Sequence, residues 1–286
     1  NRAFVKKNGK WGCIDTAGNL IMSYKYDYVY PYKEDIAIVF NGTMNAWGVP
    51  AKGTYQFVDL NGNPIYKSTE QLFDFSEGMA CVTLKGKIGY IDKTGKMVIP
   101  ATWDSGRSFK DGLACVGSNK RFYYIDKTGK KVITCSTSNS IVSYGDFSDG
   151  MAAALNGVYD VGFIDKTGKL VVPIKYGTGY SFSSGYAIVK DSNTKKWGII
   201  TKQGKTVVPF QWDEITQAGE YYRIRKYANY NRQTGVGVGG MYGLIDTQGK
   251  VVLECKYDSI NYGEGYYTIS KGSEWMIYDA NLKRIY

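Results

Sequence analysis

Apolar residues come along this chain in short bursts separated by polar turns. Around Asp92 the order is Gly89-Tyr-Ile-Asp-Lys-Thr-Gly-Lys-Met-Val-Ile-Pro100, and a near copy of these residues returns from Gly162 to Pro173. Asp92 can accept from backbone amides just downstream, and Gly95 can enter the left-handed region, which together close a tight hairpin. Tyr90, Ile91, Val98 and Ile99 flank that turn with the aromatic and branched side chains that suit a half-buried sheet. The turn Asp-x-x-Gly recurs from Asp15, Asp59, Asp92, Asp126, Asp165 and Asp246, with Thr201 as a variant, at intervals of 33 to 45 residues. One copy of a catalytic motif is normally enough, whereas repetition is what a structural unit shows. A single hairpin of this size is marginal in water, so stability is expected from packing each copy against the next.

The regularity extends beyond the turn. Eight residues after its glycine come Tyr26-Asp27, Trp103-Asp104, Trp212-Asp213 and Tyr257-Asp258. Six residues further stands an aromatic, Tyr32, Phe75, Phe109 or Phe182, with Phe147 after a short insertion. It opens a second turn, as in Phe75-Ser-Glu-Gly78, which leads into Ala80-Cys-Val82, Ala114-Cys-Val116 and Ala152-Ala-Ala154. Each unit of about 33 residues therefore predicts two turns and about three strands. At its head stand Lys10-Trp-Gly12, Ala46-Trp-Gly48 and Lys196-Trp-Gly198, softened elsewhere to Ile88-Gly89 and Tyr242-Gly243. Taken together these motifs resemble the bacterial WG, or KWG, repeat family over nearly the whole chain. The resemblance implies an all-β repeat protein of the surface or cytoplasm, usually without assigned activity. The copy after Ala46 departs from the pattern, because an insertion separates Trp47-Gly48 from Phe57.

The expected fold class is all-β: a tandem array of about seven β-hairpin repeats in an open, curved, solenoid-like assembly. A closed propeller-like ring stands second, because about 33 residues is short of the 40 or more usual for a four-stranded blade. Residues 1–286 read as one repeat domain of seven complete units, with Ala3-Phe4-Val5 and Trp275 to Asp279 as partial units at the ends. Composition agrees: 35 glycines and 26 tyrosines against 6 prolines favour short strands and tight turns. The absence of histidine removes the commonest general base, the usual triads and most catalytic metal sites. Five cysteines are an odd number, with no Cys-x-x-Cys. Cys81 and Cys115 share one strand slot, and Cys135 and Cys255 another, as small packing residues do. The repeated aspartates serve turns first, so neither enzyme activity nor a cofactor or metal is expected. No apolar run approaches the roughly 20 residues of a membrane-crossing helix. Because the chain starts at Asn1, it reads as processed or excised, with any targeting signal out of view, and an extracellular or cell-surface setting is expected ahead of the cytoplasm.

Charge is the first lead to function. The net charge is +10, and the first turns carry Lys93 and Lys96, Lys127, Lys130 and Lys131, Lys166 and Lys169, Lys202 and Lys205, and Lys250. Stacked copies would align these lysines as a basic ridge that attracts polyanions, while Glu77, Asp111 and Asp149 of the second turns gather elsewhere. The plainer reading is that charged tips keep hairpins soluble. Lysine dominates arginine, which favours a partner protein or an anionic cell-surface polymer over nucleic acid. The expected role is thus a non-catalytic binding or scaffold module. Its alternative is a carbohydrate or cell-wall-binding module that stacks sugars on exposed aromatics. Trp11, Trp47, Trp103, Trp197 and Trp212 recur in register and read as packing residues, whereas Tyr28, Tyr30, Tyr180, Tyr227 and Tyr230 fall outside the repeated slots and read as exposed. Tyr227 and Tyr230 lie in a long glycine-rich insertion between Arg225 and Tyr242, read as a hairpin extension able to touch a ligand. Its Gly235-x-Gly237-x-x-Gly240 imitates a dinucleotide loop, but a hairpin follows where a helix would have to open.

Overall fold

The computed structural model describes residues 2–136, 141–158, 160–227, 229–231 and 236–286. Among them there is no helix, hence none long and apolar enough to cross a membrane. Contacts divide the chain into two compact units, residues 1–137 with 145–147, and residues 138–144 with 148–286.

The first unit contains antiparallel meanders that follow one another in chain order. Arg2–Lys7, Lys10–Asp15 and Leu20–Tyr26 form one sheet, and Met79–Leu84, Lys87–Asp92 and Met97–Trp103 form another. Two sheets carry a very short extra edge strand: Tyr28–Val29 before Ala37–Met44, Pro50–Val58 and Pro64–Ser68, and Ser105–Gly106 before Ala114–Ser118, Arg121–Ile125 and Lys131–Thr134. The second unit repeats the plan. Met151–Asn156, Val161–Asp165, Leu170–Gly179, Tyr186–Asp191, Trp197–Thr201 and Thr206–Trp212 run on in one sheet, because Tyr176 pairs with both Val161 and Asp191 and so ends one meander while starting the next. Glu214–Ala218, Tyr221–Lys226, Met241–Ile245 and Val251–Tyr257 follow, then Ser259–Gly263, Tyr266–Lys271 and Glu274–Asp279. The insertion is a separate two-stranded ribbon, Asn229–Asn231 against Val236–Val238.

In this frame the second turn opens the sheet. Ser76 and Met79 exchange both backbone hydrogen bonds around Glu77 and Gly78, whose φ angles are 54° and 81°, the double left-handed geometry of a type I′ hairpin. Lys110 and Leu113 do the same around Asp111-Gly112, and Ser183 and Tyr186 around Ser184-Gly185. The first turn closes the sheet's other hairpin as expected. Asp92 Oδ1 accepts from Thr94 N at 2.9 Å and Lys96 N at 3.1 Å, and Gly95 takes φ +84°.

Spacing alone does not explain why glycine follows tryptophan. A Cβ on Gly89 would lie 2.7 Å from the Ile99 carbonyl oxygen and 2.8 Å from Ala101 N, because the facing strand bulges between Ile99 and Trp103. Gly12, Gly162, Gly198 and Gly243 meet the bulged strand of their own sheets in the same way. Inside that bulge sit Pro100, Pro173 and Pro209, where a ladder N–H is not needed. Where the glycine is replaced by Gln56 or Tyr123, the strands pair in simple register, Gln56 with Lys67 and Tyr123 with Thr134.

Consecutive meanders in each unit pack with like positions together. The first-turn glycines Gly62, Gly95 and Gly129 lie against Met22, Ile65 and Ile99 of the preceding sheet, and in the second unit Gly204 and Gly249 lie against Val172 and Val208. Edge-to-face ring pairs recur beneath them. Phe57–Phe75, Tyr90–Phe109, Tyr124–Phe147 and, in the second unit, Phe163–Phe182 have centroids 4.7 to 5.0 Å apart. Tyr90 donates to the Arg107 carbonyl at 2.8 Å and Tyr124 to that of Gly145 at 2.6 Å, so each buried phenol is satisfied by the strand that follows.

Trp103 and Trp212 are buried and Trp11 and Trp197 half-buried, in keeping with packing roles. Trp47 departs from that expectation, being 86% exposed. Asn45 Oδ1 accepts from Trp47 N and Val49 N, so Ala46-Trp-Gly48 forms a hairpin tip, and counting back from the Asp59 turn puts Tyr55 in the tryptophan slot. Cys13, Cys81, Cys115 and Cys135 are buried and Cys255 half-buried, all as free thiols.

Candidate functional site

Two kinds of lysine emerge from the first turns. Lys93 reaches Glu34 at 3.4 Å, Lys127 reaches Glu77 at 3.4 Å and, in the second unit, Lys202 reaches Asp149 at 2.6 Å. Each acid belongs to the second turn of one meander and each lysine to the following meander. The same carboxylates accept from the next second turn: Glu34 from Gly78 N, Glu77 from Gly112 N and Asp149 from Gly185 N. Glu77 and Asp149, expected to gather away from these lysines, instead stitch neighbouring meanders to them. The Lys202 ammonium, then the Gly185 N–H, holds the Asp149 carboxyl below its ordinary range.

Lys96 and Lys130 in the first unit, and Lys169, Lys205 and Lys250 in the second, are exposed. Their backbone N–H groups serve the turn, while Lys96, Lys130 and Lys169 lie close enough to the turn aspartate to help lower its pKa, after the Thr94, Thr128 and Thr167 hydroxyls that lower it most. Lys166 is exposed on its turn. The lysine of Lys-Trp-Gly is a further stitch. Lys10 meets Asp27 at 2.5 Å, Lys196 meets Asp213 at 2.5 Å, and Lys87 pairs with Asp104. The second oxygen of each aspartate accepts from the next hairpin, at Gly42 N, Tyr227 N and Asn119 N.

A different set of lysines, of which the turn pattern pointed only to Lys131, lies over aromatic faces. In the first unit Lys6 sits 5.5 Å from the Trp11 ring centre, Lys25 5.2 Å from Tyr26, and Lys131 4.0 Å from Tyr123 and 5.3 Å from Trp103. In the second unit Lys190 covers Trp197 at 5.7 Å, Lys226 covers Trp212 at 5.0 Å, Lys175 covers Tyr176 at 5.3 Å and Lys256 covers Tyr257 at 5.8 Å. Pairing register explains two of them, since Lys6 stands opposite Trp11 and Lys190 opposite Trp197. The recurring Lys-Tyr at 25–26, 175–176 and 256–257 was the available sequence signal. Among the described residues none of these seven lysines forms an ion pair within 4.0 Å.

Of the tyrosines read as exposed, Tyr28 and Tyr30 are half-buried and meet edge to face, and Tyr180 is open to solvent. Tyr227 is half-buried, with the Arg225 guanidinium 4.7 Å from its ring centre. Tyr230 lies on the ribbon, and its side chain falls outside the described residues, as does Gly235. Arg225 also covers Tyr242 and shares Glu214 with Arg223. Among the described residues no group of three or more Cys, Asp or Glu is placed to hold a metal.

The geometry defines an all-β repeat protein in which charged turns couple neighbouring meanders within each unit. Sequence comparison agrees, with the model described as WG containing repeat matching residues 11–42, 88–121, 162–194, 197–227 and 242–275, more than half of the chain. The chain belongs to the WG repeat family. No curated protein matches it. Among solved structures it is similar to a eukaryotic initiation factor at 9% identity, covering 100% of this chain and 86% of that one with a TM-score of 0.61. It also matches BamB from Moraxella catarrhalis at 10% identity (94% and 93% covered, TM-score 0.45) and the WD40 beta propeller domain of Doa1 at 12% (87% and 90% covered, TM-score 0.38). At these identities the first likeness speaks to fold alone.

Proposed function

We propose that this chain is a non-catalytic binding module that holds an acidic partner, an anionic polymer or an acidic protein segment, on the lysines of its two units. The observation that carries the reading is the set of lysines laid over aromatic rings without a carboxylate at ion-pair distance, although Lys175 stands near enough to Asp191 to help the Thr194 N–H lower its pKa. A ring beneath a lysine attracts the ammonium by about 0.5–1 kcal/mol at an exposed site and limits its motion, so less side-chain entropy is lost when an anion docks. The charge stays available, whereas that of Lys93, Lys127 and Lys202 is already met by an acid. Lys96, Lys130, Lys169, Lys205 and Lys250 form a second set, weaker wherever the turn's own aspartate stands beside the lysine.

The test uses the full chain and a teichoic-acid-type polymer at low and moderate salt. Replacing Lys190, Lys226 and Lys256 of the second unit together by Gln is expected to weaken binding about tenfold or more and to flatten its salt dependence. The combined Lys96, Lys130, Lys169, Lys205 and Lys250 to Gln variant is expected to lose markedly less. Unchanged affinity in both variants, or binding indifferent to salt, would overturn the reading.

A further inference from the structure

We propose that the second unit carries a separate, uncharged binding cleft for a neutral sugar ring. A cavity of about 300 Å³ opens between the meander of Tyr186–Asp191 and the next, of Tyr221–Lys226. Its lining comprises Tyr180, Tyr186 and Tyr222, the hydroxyls of Ser181, Ser183 and Thr216, the amide of Gln217, and Ile188. No ionisable side chain other than the phenols is among them.

The cleft falls where the repeat changes its rule. Six residues after the aromatic that ends the third strand stand Tyr32, Phe109 and Phe182, but Ala218 follows Trp212 and Gly263 follows Tyr257. The slot paired with the residue before the first turn is Ala37, Ala80, Ala114, Ala152 or Ala187 in five copies, whereas in the last two Tyr222 pairs with Ile245 and Tyr267 with Tyr278. A large and a small side chain have exchanged positions in these last two copies, and in the first of them the tyrosine, Tyr222, reaches the cavity.

The lining is held in place. Tyr180 N donates to Ile188 O at 2.9 Å, Ser183 and Tyr186 close a type I′ turn, and Gln217 is paired with Tyr222. Tyr180 is 53% exposed, yet its ring stacks on Trp197 at 5.5 Å and 17°. Flat tyrosine faces match the C–H faces of a sugar. Hydroxyl and amide groups both donate and accept, as ring hydroxyls require. The volume lies at the small end of ligand pockets, suited to one ring or a chain end. A charged ligand would be desolvated here with no counter-charge to offset the loss.

The experiment titrates the full chain with a panel of neutral tetrasaccharides built from glucose, N-acetylglucosamine, galactose or mannose, by calorimetry and intrinsic fluorescence. At least one is expected to bind with an affinity that changes less than about twofold as salt rises. Tyr180→Ala is expected to weaken it about tenfold, within the range that loss of one stacked ring produces. Gln217→Ala is expected to weaken it less. Tyr180 is exposed, so its variant should keep the native melting temperature, and Tyr222→Phe tests the buried phenol without opening a cavity. The lysine variants above should bind the sugar normally, which separates this cleft from the acidic-partner surface. Absence of binding across the panel at millimolar concentration, equal binding by Tyr180→Ala and Gln217→Ala, or binding of a tyrosine-bearing peptide in place of every sugar would overturn the proposal.

Discussion

Gly89 illustrates how much of this protein is decided by single backbone contacts. Its missing side chain is what allows the bulged strand after Ile99 to approach, and Pro100 fits inside the bulge because no ladder hydrogen bond is asked of it there. Gly89→Ala is therefore expected to cost about 1–3 kcal/mol, whereas Gln56→Ala, at the unbulged equivalent, should stay within about 0.5 kcal/mol. Urea midpoints of the two variants check this. Burial likewise explains the thiols: desolvation pushes Cys81 to about 11, and Cys115 and Cys135 to about 12. A thiol-labelling reagent at pH 8 should leave these three unmodified in the native protein and label them only after denaturation. The slot symmetry of Cys81 with Cys115 was readable from spacing. The contrast between Gln56 and Gly89 was not, because a bulge shows itself only when two strands are laid together.

At the scale of the turn and strand, the hairpins answer to local chemistry and their coupling does not. Asp92, Thr94 and Gly95 satisfy their turn within five residues, so the sequence shows it plainly. Glu77 sits at a left-handed position in its own turn while its carboxylate serves Gly112 N and Lys127, 35 and 50 positions away. Only adjacent packing could reveal that. A double-mutant cycle on Glu77 and Lys127 is expected to give a coupling of about 0.2–1 kcal/mol that shrinks with added salt, because both groups are partly solvated. The buried ring of the turn that Glu77 holds matters more. Phe109→Ala, which empties the edge-to-face contact with Tyr90, is expected to cost about 3–5 kcal/mol in equilibrium unfolding.

Across the molecule, many carboxyls are held below their ordinary range by their partners. Asp27 is lowered chiefly by Lys10, Asp104 by Lys87, Asp149 by Lys202, and Asp126 and Asp165 by Thr128 and Thr167. A carboxyl whose folded pKa is depressed adds stability above its unfolded value, here near 3.8, and loses it as pH falls through the folded value. Urea midpoints should thus be flat from about pH 7 to 5 and fall steadily below about pH 4. Ion pairs at exposed turns contribute little each, so the acid sensitivity is expected to come from their repetition.

Turn chemistry, the alternation of apolar slots and the return of both at fixed intervals specify an all-β repeat chain, because each of these acts within a few residues and is written in every copy. Which lysines stay free of acids, which acids stitch one meander to the next, and where Tyr222 comes to line a cleft depend on side chains from different repeats meeting in space. Such meetings join residues tens of positions apart, and a local motif carries no record of them.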